Sequence, residues 1–298
     1  MSHPFPIIEI DRFSGFCSGV NRAIKAAEEG LKRYGTIHSL GSLVHNEEEI
    51  SRLRKLGMEF ITHEEADGSK QVVFIRAHGE PPETYRKLED QGAVVIDATC
   101  PVVLRLQHRV RESSRQFRES GSGQVVIFGK PGHPEIIGLL GQAEGNALLI
   151  SKKEEAELID YSQPLHLFVQ TTASEAEYAE LCVIIAAKSR QQTGRSDMVT
   201  VTNSICRQMS RRVPELKAFA ARHDVLIFVS GKDSSNGKYL SGIAREVNPE
   251  TYVVAGAGEV ENWFFGAASI GISGATSTPV WLMEEVAARV SEIVQSNK

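Results

Sequence analysis

Short apolar runs alternate with longer amphipathic stretches along most of the chain. VVFI, AVVI, VVIF and VLIFV are runs of four or five residues, and each leads through a turn into a stretch with helical periodicity. Continuous runs of this kind are typical of strands that are buried on both faces, as in parallel sheets. Because strands and helices alternate, the pattern predicts an α/β fold with mainly parallel sheets.

The length predicts more than one domain. At about 150 residues per domain, 298 residues correspond to two domains, and three small domains are also possible. The most linker-like segments are RESGSGQ at 118–124 and QQTGRSD at 191–197. Boundaries near residues 100 and 200 give three α/β domains of a normal size, which is the division that we infer.

Composition excludes several classes of protein. Hydrophobic residues make up 41% and charged residues 24% of the chain, which is an ordinary globular composition rather than a disordered or fibrous one. The sequence contains no long apolar run and begins without an export signal, so we expect a cytoplasmic protein that does not enter the membrane. A net charge of −5 without a basic block argues against binding to nucleic acids.

Three of the four cysteines share a local context. Cys17, Cys100 and Cys206 lie at predicted helix starts, where free N–H groups and the helix dipole favour a thiolate, whereas Cys182 lies among apolar residues within a helix and is predicted to be core. The sequence has no CxxC pair, which excludes a zinc ribbon or a ferredoxin-type loop. Three thiolates suit either a zinc site completed by His or an iron–sulfur cluster with one iron left open.

Polar residues also collect where predicted strands lead into helices, which is where α/β sheets bind ligands. A phosphate could bind to such donors at helix starts, although the same residues also serve as ordinary capping turns. The residues in question are His45, His78, His133, Ser234, Ser235, Asn236 and Ser277.

Two further residues could act on a substrate in such a pocket. Glu135 opens a helix two residues after His133, where it could deliver a proton or merely complement the helix dipole. Thr171 follows an apolar run and could face the pocket, while Ser174 and Glu177 form a predicted capping box.

Taken together, these segments resemble the 4-hydroxy-3-methylbut-2-enyl diphosphate reductase family over about residues 7–290. The resemblance implies a trefoil of three α/β domains, 14–100, 101–201 and 202–298, joined by an N-terminal segment 1–13 and arranged around a central iron–sulfur cluster. The motifs that carry it are, in order, GFCSGVNRAI, VHNEEE, RAHGEPP, DATCPVV, GHPEIIGLLGQ, QTTAS, NSIC, SGKDSSNGKYL and GATSTPVWLM.

The same resemblance implies the roles of individual residues. Cys17, Cys100 and Cys206 match the three ligands of one 4Fe–4S cluster, whose fourth iron is open to the substrate. Glu135 matches the acid that delivers a proton, and Thr171 a threonine near the substrate hydroxyl. The residues that match the lining of the diphosphate pocket are His45, His78, His133, Ser234, Ser235, Asn236 and Ser277.

The implied reaction is a two-electron reductive dehydroxylation that yields isopentenyl and dimethylallyl diphosphate in isoprene biosynthesis. Because no nicotinamide or flavin fingerprint is found, we expect reduced ferredoxin or flavodoxin as the electron donor. An iron–sulfur hydratase or dehydratase and a non-catalytic zinc or cluster sensor remain alternatives. The segment after Cys206 departs from the family pattern: Met209, Arg211, Arg212 and Val213 stand where many members have Thr and then Asn-Arg-Gln.

Overall fold

The computed structural model describes residues 5–67, 69, 71–195, 197–232 and 234–296, and of Ser235 it describes the backbone alone. Strands and helices alternate along nearly all of these residues. The strands are β1 Ile7–Ile10, β2 Ile37–Leu40, β3 Met58–Ile61, β4 Val72–Ile75, β5 Val94–Asp97, β6 Gln124–Phe128, β7 Ala147–Ile150, β8 Leu165–Val169, β9 Val199–Thr202, β10 Val225–Val229, β11 Thr251–Val254 and β12 Ser269–Gly274. The helices are α1 Ser18–Tyr34, α2 Glu47–Lys55, α3 Pro82–Asp90, α4 Pro101–Ser120, α5 Pro134–Ala143, α6 Glu175–Thr193, α7 Arg207–Ala220, α8 Ser235–Val247 and α9 Val280–Ser296.

The chain divides into two compact units. The first unit comprises Met1–Thr36, Ser42–Glu59 and Arg211–Lys298. Its sheet has the strand order β1-β12-β10-β11, and β10 pairs in parallel with both β11 and β12. All five residues of β10 are buried, which explains why its sequence is a continuous apolar run.

The second unit comprises Ile37–Gly41 and Phe60–Ser210. It contains two further parallel sheets, with the orders β3-β2-β4-β5 and β7-β6-β8-β9. Helices α4 and α5 pack against each other, and α5 also contacts α3. Gly141 in α5 permits this approach, because a Cβ at that position would lie 2.6 Å from the Cβ of Pro81.

The predicted fold class is confirmed: three four-stranded parallel sheets alternate with helices. Helices α3, α4 and α5 each begin at a proline, where the missing N–H costs no intrahelical hydrogen bond. None of the helices in the described part of the chain combines the length and apolar content that a bilayer crossing requires. The three domains 14–100, 101–201 and 202–298 stay a prediction.

Candidate active site

The three cysteines that the sequence singled out all lie at helix starts. Cys17 is the N-cap of α1, Cys100 is the N-cap of α4, and Cys206 immediately precedes α7. The Val20 amide donates a hydrogen bond to the Cys17 sulfur at 3.5 Å, and all three residues are half-buried. Each of the three cysteines therefore lies where free amides and the positive end of a helix dipole favour negative charge.

Cys182 differs from them in its surroundings. It lies within α6 and packs against the apolar cluster that contains Leu181 and Ile185. Burial raises the pKa of its thiol, although a hydrogen bond with Tyr178 partly offsets the effect. A raised pKa disfavours the thiolate that binds a metal, and the packing of Cys182 against this cluster agrees with the prediction that it belongs to the core.

The donor chemistry of Cys17, Cys100 and Cys206 fits an iron–sulfur cluster, since thiolates are the ligands of such clusters. Among the residues that the structure describes, no three His, Cys, Asp or Glu side chains converge on one point as ligands of a single metal ion do. A cluster does not demand that convergence, because each cysteine binds its own iron.

In the second unit, Glu135 occupies a nearly closed site at the start of α5. Its side chain is only 1% exposed, and it accepts hydrogen bonds from the Thr171 amide and the Thr171 hydroxyl, both at 2.7 Å. Burial raises the pKa of the Glu135 carboxyl, and the two hydrogen bonds from Thr171 only partly oppose this effect. A Glu that merely complemented the helix dipole would not need this enclosure.

Thr171 links that carboxyl to one of the cysteines. The Cys206 amide donates a 2.8 Å hydrogen bond to the Thr171 carbonyl. The three residues come together because β6, β8 and β9 are neighbours in the sheet, so the loops after these strands meet at one edge. These hydrogen bonds therefore connect the buried Glu135 carboxyl, through Thr171, to the backbone of Cys206.

Two of the predicted histidines also lie in the second unit. His133 is the N-cap of α5, and its Nδ1 accepts a hydrogen bond from the Glu135 amide at 3.2 Å. In the neutral ring this bond leaves the proton on Nε2. The rings of His133 and His78 meet edge to face, with 5.3 Å between centroids. The two imidazole rings thus lie together at the start of α5, the helix that carries Glu135.

The first unit collects hydroxyl groups at the carboxyl ends of β10 and β12, which are neighbours in its sheet. The Ser234 hydroxyl caps α8 by accepting a hydrogen bond from the Gly237 amide, and it lies 3.3 Å from the Ser277 hydroxyl. The Ser277 hydroxyl in turn donates to the carbonyl of His45 at 3.5 Å. The capping role that the sequence left open for Ser234 is therefore present.

Asn236 completes this group. Its Oδ1 accepts hydrogen bonds from the amide and the hydroxyl of Thr276, which directs the amide nitrogen of Asn236 elsewhere as a donor. The first turn of α8 contains no acidic residue, so its free amides can donate hydrogen bonds to an anion. The predicted Ser235 opens this helix, but its side chain lies outside the described part of the chain.

A buried ion pair that sequence reasoning missed fixes the loop before Cys17. The Arg212 guanidinium lies 2.8 Å from the Asp11 carboxylate, and the Ser273 hydroxyl donates to the same carboxylate at 2.9 Å. Asp11 also accepts a hydrogen bond from the Phe13 amide at the end of β1. These residues are 201 and 262 positions apart in the sequence, so no local pattern indicates the network.

The other residues of the divergent segment have simpler surroundings. Val213 packs against the apolar cluster around Leu216, and Met209 is half-buried with its amide bonded to the Cys206 carbonyl. Arg211 is exposed. The segment thus contributes one buried cation, Arg212, to the first unit.

Comparison with known proteins shows which family this chain is similar to. A family model described as LytB protein matches residues 8–291. The 4-hydroxy-3-methylbut-2-enyl diphosphate reductase of Bacteroides fragilis is 44% identical over 281 residues, which cover 94% of this chain and 95% of the relative. The Porphyromonas gingivalis protein of the same name is 44% identical over 295 residues, with 96% and 99% covered.

Solved structures agree with the sequence comparisons. The structure of (E)-4-hydroxy-3-methyl-but-2-enyl diphosphate reductase, the terminal enzyme of the non-mevalonate pathway, superposes with a TM-score of 0.75 at 35% identity and covers 96% of this chain and 99% of its own. The E-1-hydroxy-2-methyl-but-2-enyl-4-diphosphate reductase from Plasmodium falciparum superposes with a TM-score of 0.76 and covers 96% of this chain and 88% of its own. At 24% identity, the second match supports the fold alone.

Proposed function

Because this chain belongs to the LytB protein family, we propose that it is a 4-hydroxy-3-methylbut-2-enyl diphosphate reductase, as its relatives are named. In the balanced reaction the allylic C–O bond breaks, two electrons and two protons are taken up, and one water leaves. The products are isopentenyl and dimethylallyl diphosphate. The observation that carries this proposal is the enclosed Glu135 carboxyl, which accepts two hydrogen bonds from Thr171.

Glu135 is proposed as the proton donor of the reaction. Hydroxide is a poor leaving group, so the C–O bond breaks more readily when a proton arrives as it cleaves. The raised pKa keeps a proton on Glu135 at a pH where an exposed carboxyl has lost it. Once the proton has left, the two Thr171 hydrogen bonds stabilise the carboxylate and hold its orientation.

Cys17, Cys100 and Cys206 are the proposed ligands of one 4Fe–4S cluster in which the fourth iron is open to the substrate. The support is their shared position at helix starts, where thiolates are favoured. When bound, such a cluster supplies single electrons and a Lewis-acidic iron. A reduced ferredoxin or flavodoxin is the proposed source of the electrons.

The proposed diphosphate site consists of hydroxyl, amide and imidazole groups. Ser234, Asn236 and Ser277 surround the start of α8, whose free amides and dipole favour an anion. Ser235, His45, His78 and His133 are proposed to complete the site. Binding energy from the diphosphate, which does not react, can then position the allylic end for the chemical step.

A direct test uses protein that is purified without oxygen. Substrate is supplied with dithionite-reduced methyl viologen, and product is quantified against the reductant consumed. We expect a coloured protein that contains iron and sulfide, two electrons consumed per product, and no turnover when the reductant is omitted.

Two outcomes would contradict the proposal. Conversion of the substrate without any reductant would instead identify a hydratase or dehydratase, which uses no net electrons. A colourless protein that contains zinc and no iron would identify a sensor rather than a reductase.

A further inference from the structure

Helix α4 is strongly basic in a chain whose net charge is −5. It carries five arginines and two glutamates. Both glutamates, Glu112 and Glu119, pair with Arg115 in the second half of the helix, and Arg118 pairs there with Glu144. The first half contains no acid, so no acidic residue of α4 itself lies beside the arginines that follow Cys100.

Four exposed residues form what we call the α4 basic face: Leu104, Arg105, His108 and Arg109. Arg105 and Arg109 are four residues apart, which places them side by side on the helix surface. In the described part of the chain neither of these two arginines forms an ion pair. Leu104 is 43% exposed beside them and adds an apolar contact to the charged surface.

The position of this face along the helix suggests its use. Cys100, a proposed cluster ligand, is the N-cap of α4. At 1.5 Å per residue, Arg105 lies about 8 Å along the helix axis from Cys100. Electron transfer between proteins slows steeply with distance, so a carrier should dock close to a cluster ligand. The neighbouring helix α5 adds no negative charge to this surface, because its one acidic residue, Glu135, is buried.

We propose that the α4 basic face docks an acidic one-electron carrier protein. This inference rests on the proposed function, since that reaction consumes two electrons and a one-electron carrier must bind twice per turnover. Each carrier is oxidised by one electron, and the two electrons together with two protons reduce the substrate as the C–O bond breaks and one water forms. Complementary charge speeds such encounters without making the complex long-lived, and a few charges around one apolar contact suit a small transient interface.

The test compares two reductants on the same enzyme. One is a reduced plant-type ferredoxin, which has an acidic surface, and the other is dithionite-reduced methyl viologen, which needs no docking face. The charge-reversed variant Arg105→Glu/Arg109→Glu is compared with Lys25→Glu/Lys32→Glu. The control makes the same change in charge on the exposed surface of α1.

We expect the charge reversal on α4 to lower kcat/KM for ferredoxin about tenfold or more at low salt and to leave turnover with methyl viologen unchanged. Added salt should lower kcat/KM of the wild-type enzyme for ferredoxin, and it should reduce the difference in kcat/KM between the wild type and the charge-reversed variant. The control should behave as wild type. Arg105→Gln/Arg109→Gln, which neutralises the face, should give a smaller loss in the same direction, and it carries the test if the reversal prevents folding.

Wild-type kinetics with ferredoxin in both α4 variants would overturn the docking proposal, provided that methyl viologen still drives turnover. An equal loss in the α1 control would also overturn it, because the effect would then follow net charge rather than α4. Absence of turnover with methyl viologen in wild type would instead count against the proposed function itself.

Discussion

Asp11 in the first unit and Glu135 in the second are both buried carboxyl groups close to a proposed cluster cysteine, Asp11 in the loop before Cys17 and Glu135 through its bonds to Thr171, but they have different partners. Asp11 in the first unit is 2% exposed and pairs with the Arg212 guanidinium. Glu135 in the second unit is 1% exposed and accepts hydrogen bonds from Thr171, with no ion pair among the described residues. The two carboxyl groups are buried to nearly the same extent, and they differ in that only Asp11 has a cation as a partner.

We propose that this difference separates a structural acid, Asp11, from a catalytic one, Glu135. A guanidinium compensates a buried carboxylate, so the pair can hold the loop before Cys17 in place. Glu135 has no cation as a partner among the described residues, and burial raises its pKa, which suits the proposed role of proton donor. Burial alone therefore does not indicate catalysis, and the partner of the buried acid decides its role.

The largest expected effect follows from removal of the thiol of Cys206, whose backbone is bonded to Thr171. Cys206→Ser should abolish turnover and strongly reduce bound iron and visible absorption, because a proposed ligand is lost. Cys182→Ser is the matched control and should retain both, since Cys182 packs in α6. Full iron content in Cys206→Ser would contradict the ligand assignment.

Removing the cation from Asp11 should destabilise the protein. Arg212→Met leaves a buried carboxylate unpaired, and urea unfolding should show a loss of about 3–5 kcal/mol in the free energy of unfolding. Arg222→Met removes the exposed pair with Glu9 and should cost about 1 kcal/mol or less. Equal losses in the two variants would show that the buried pair with Asp11 contributes no more to stability than an exposed pair.

The Thr171 hydroxyl should matter for rate and for pH dependence. Thr171→Val removes one hydrogen bond to the Glu135 carboxylate, which should slow turnover by about tenfold or more. Because that bond lowers the pKa of Glu135, its loss should also move the alkaline limb of the pH–rate profile to higher pH. Thr171→Ser keeps a hydroxyl and should restore both properties. A profile that does not move in Thr171→Val would separate Thr171 from the acid.

A smaller effect should appear in stability against pH. Between the ordinary carboxyl pKa of 4.5 and the raised pKa of Glu135, the folded protein holds a proton that the unfolded chain has released. The free energy of unfolding should therefore fall with rising pH in that window, by at most about 1.4 kcal/mol per pH unit from this group. Glu135→Gln should lack this component. A wild-type minus variant difference that is constant across the window would show that the pKa is not raised.

Much of the architecture could be predicted from the sequence because it depends on local patterns. The fully buried run VLIFV became β10, and a proline stands at the first position of α3, α4 and α5, where this residue is favoured. The capping box of Ser174 and Glu177 is present, since the Glu177 amide donates to the Ser174 hydroxyl. These features involve neighbours in the chain, so their signal is local.

The site depends on contacts between residues far apart in the sequence, and these could not be predicted from local patterns. The bond between Thr171 and Glu135 joins residues 36 positions apart, and it follows from β6 and β8 being neighbours in the sheet. Asp11 and Arg212 gave no local signal at all. Motif resemblance supplied candidate residues for the site, but it did not supply the partner that distinguishes Glu135 from Asp11.

Turnover of Glu135→Gln, measured without oxygen and with reduced methyl viologen, tests the central claim most directly. Glu144→Gln is the matched control, because Glu144 ends the same helix and is exposed. We predict that Glu135→Gln keeps the iron content and visible spectrum of wild type while its turnover falls about 10²- to 10⁴-fold, and that Glu144→Gln is unaffected. Wild-type turnover in Glu135→Gln with an unchanged spectrum would contradict the proposal that this buried carboxyl delivers the proton.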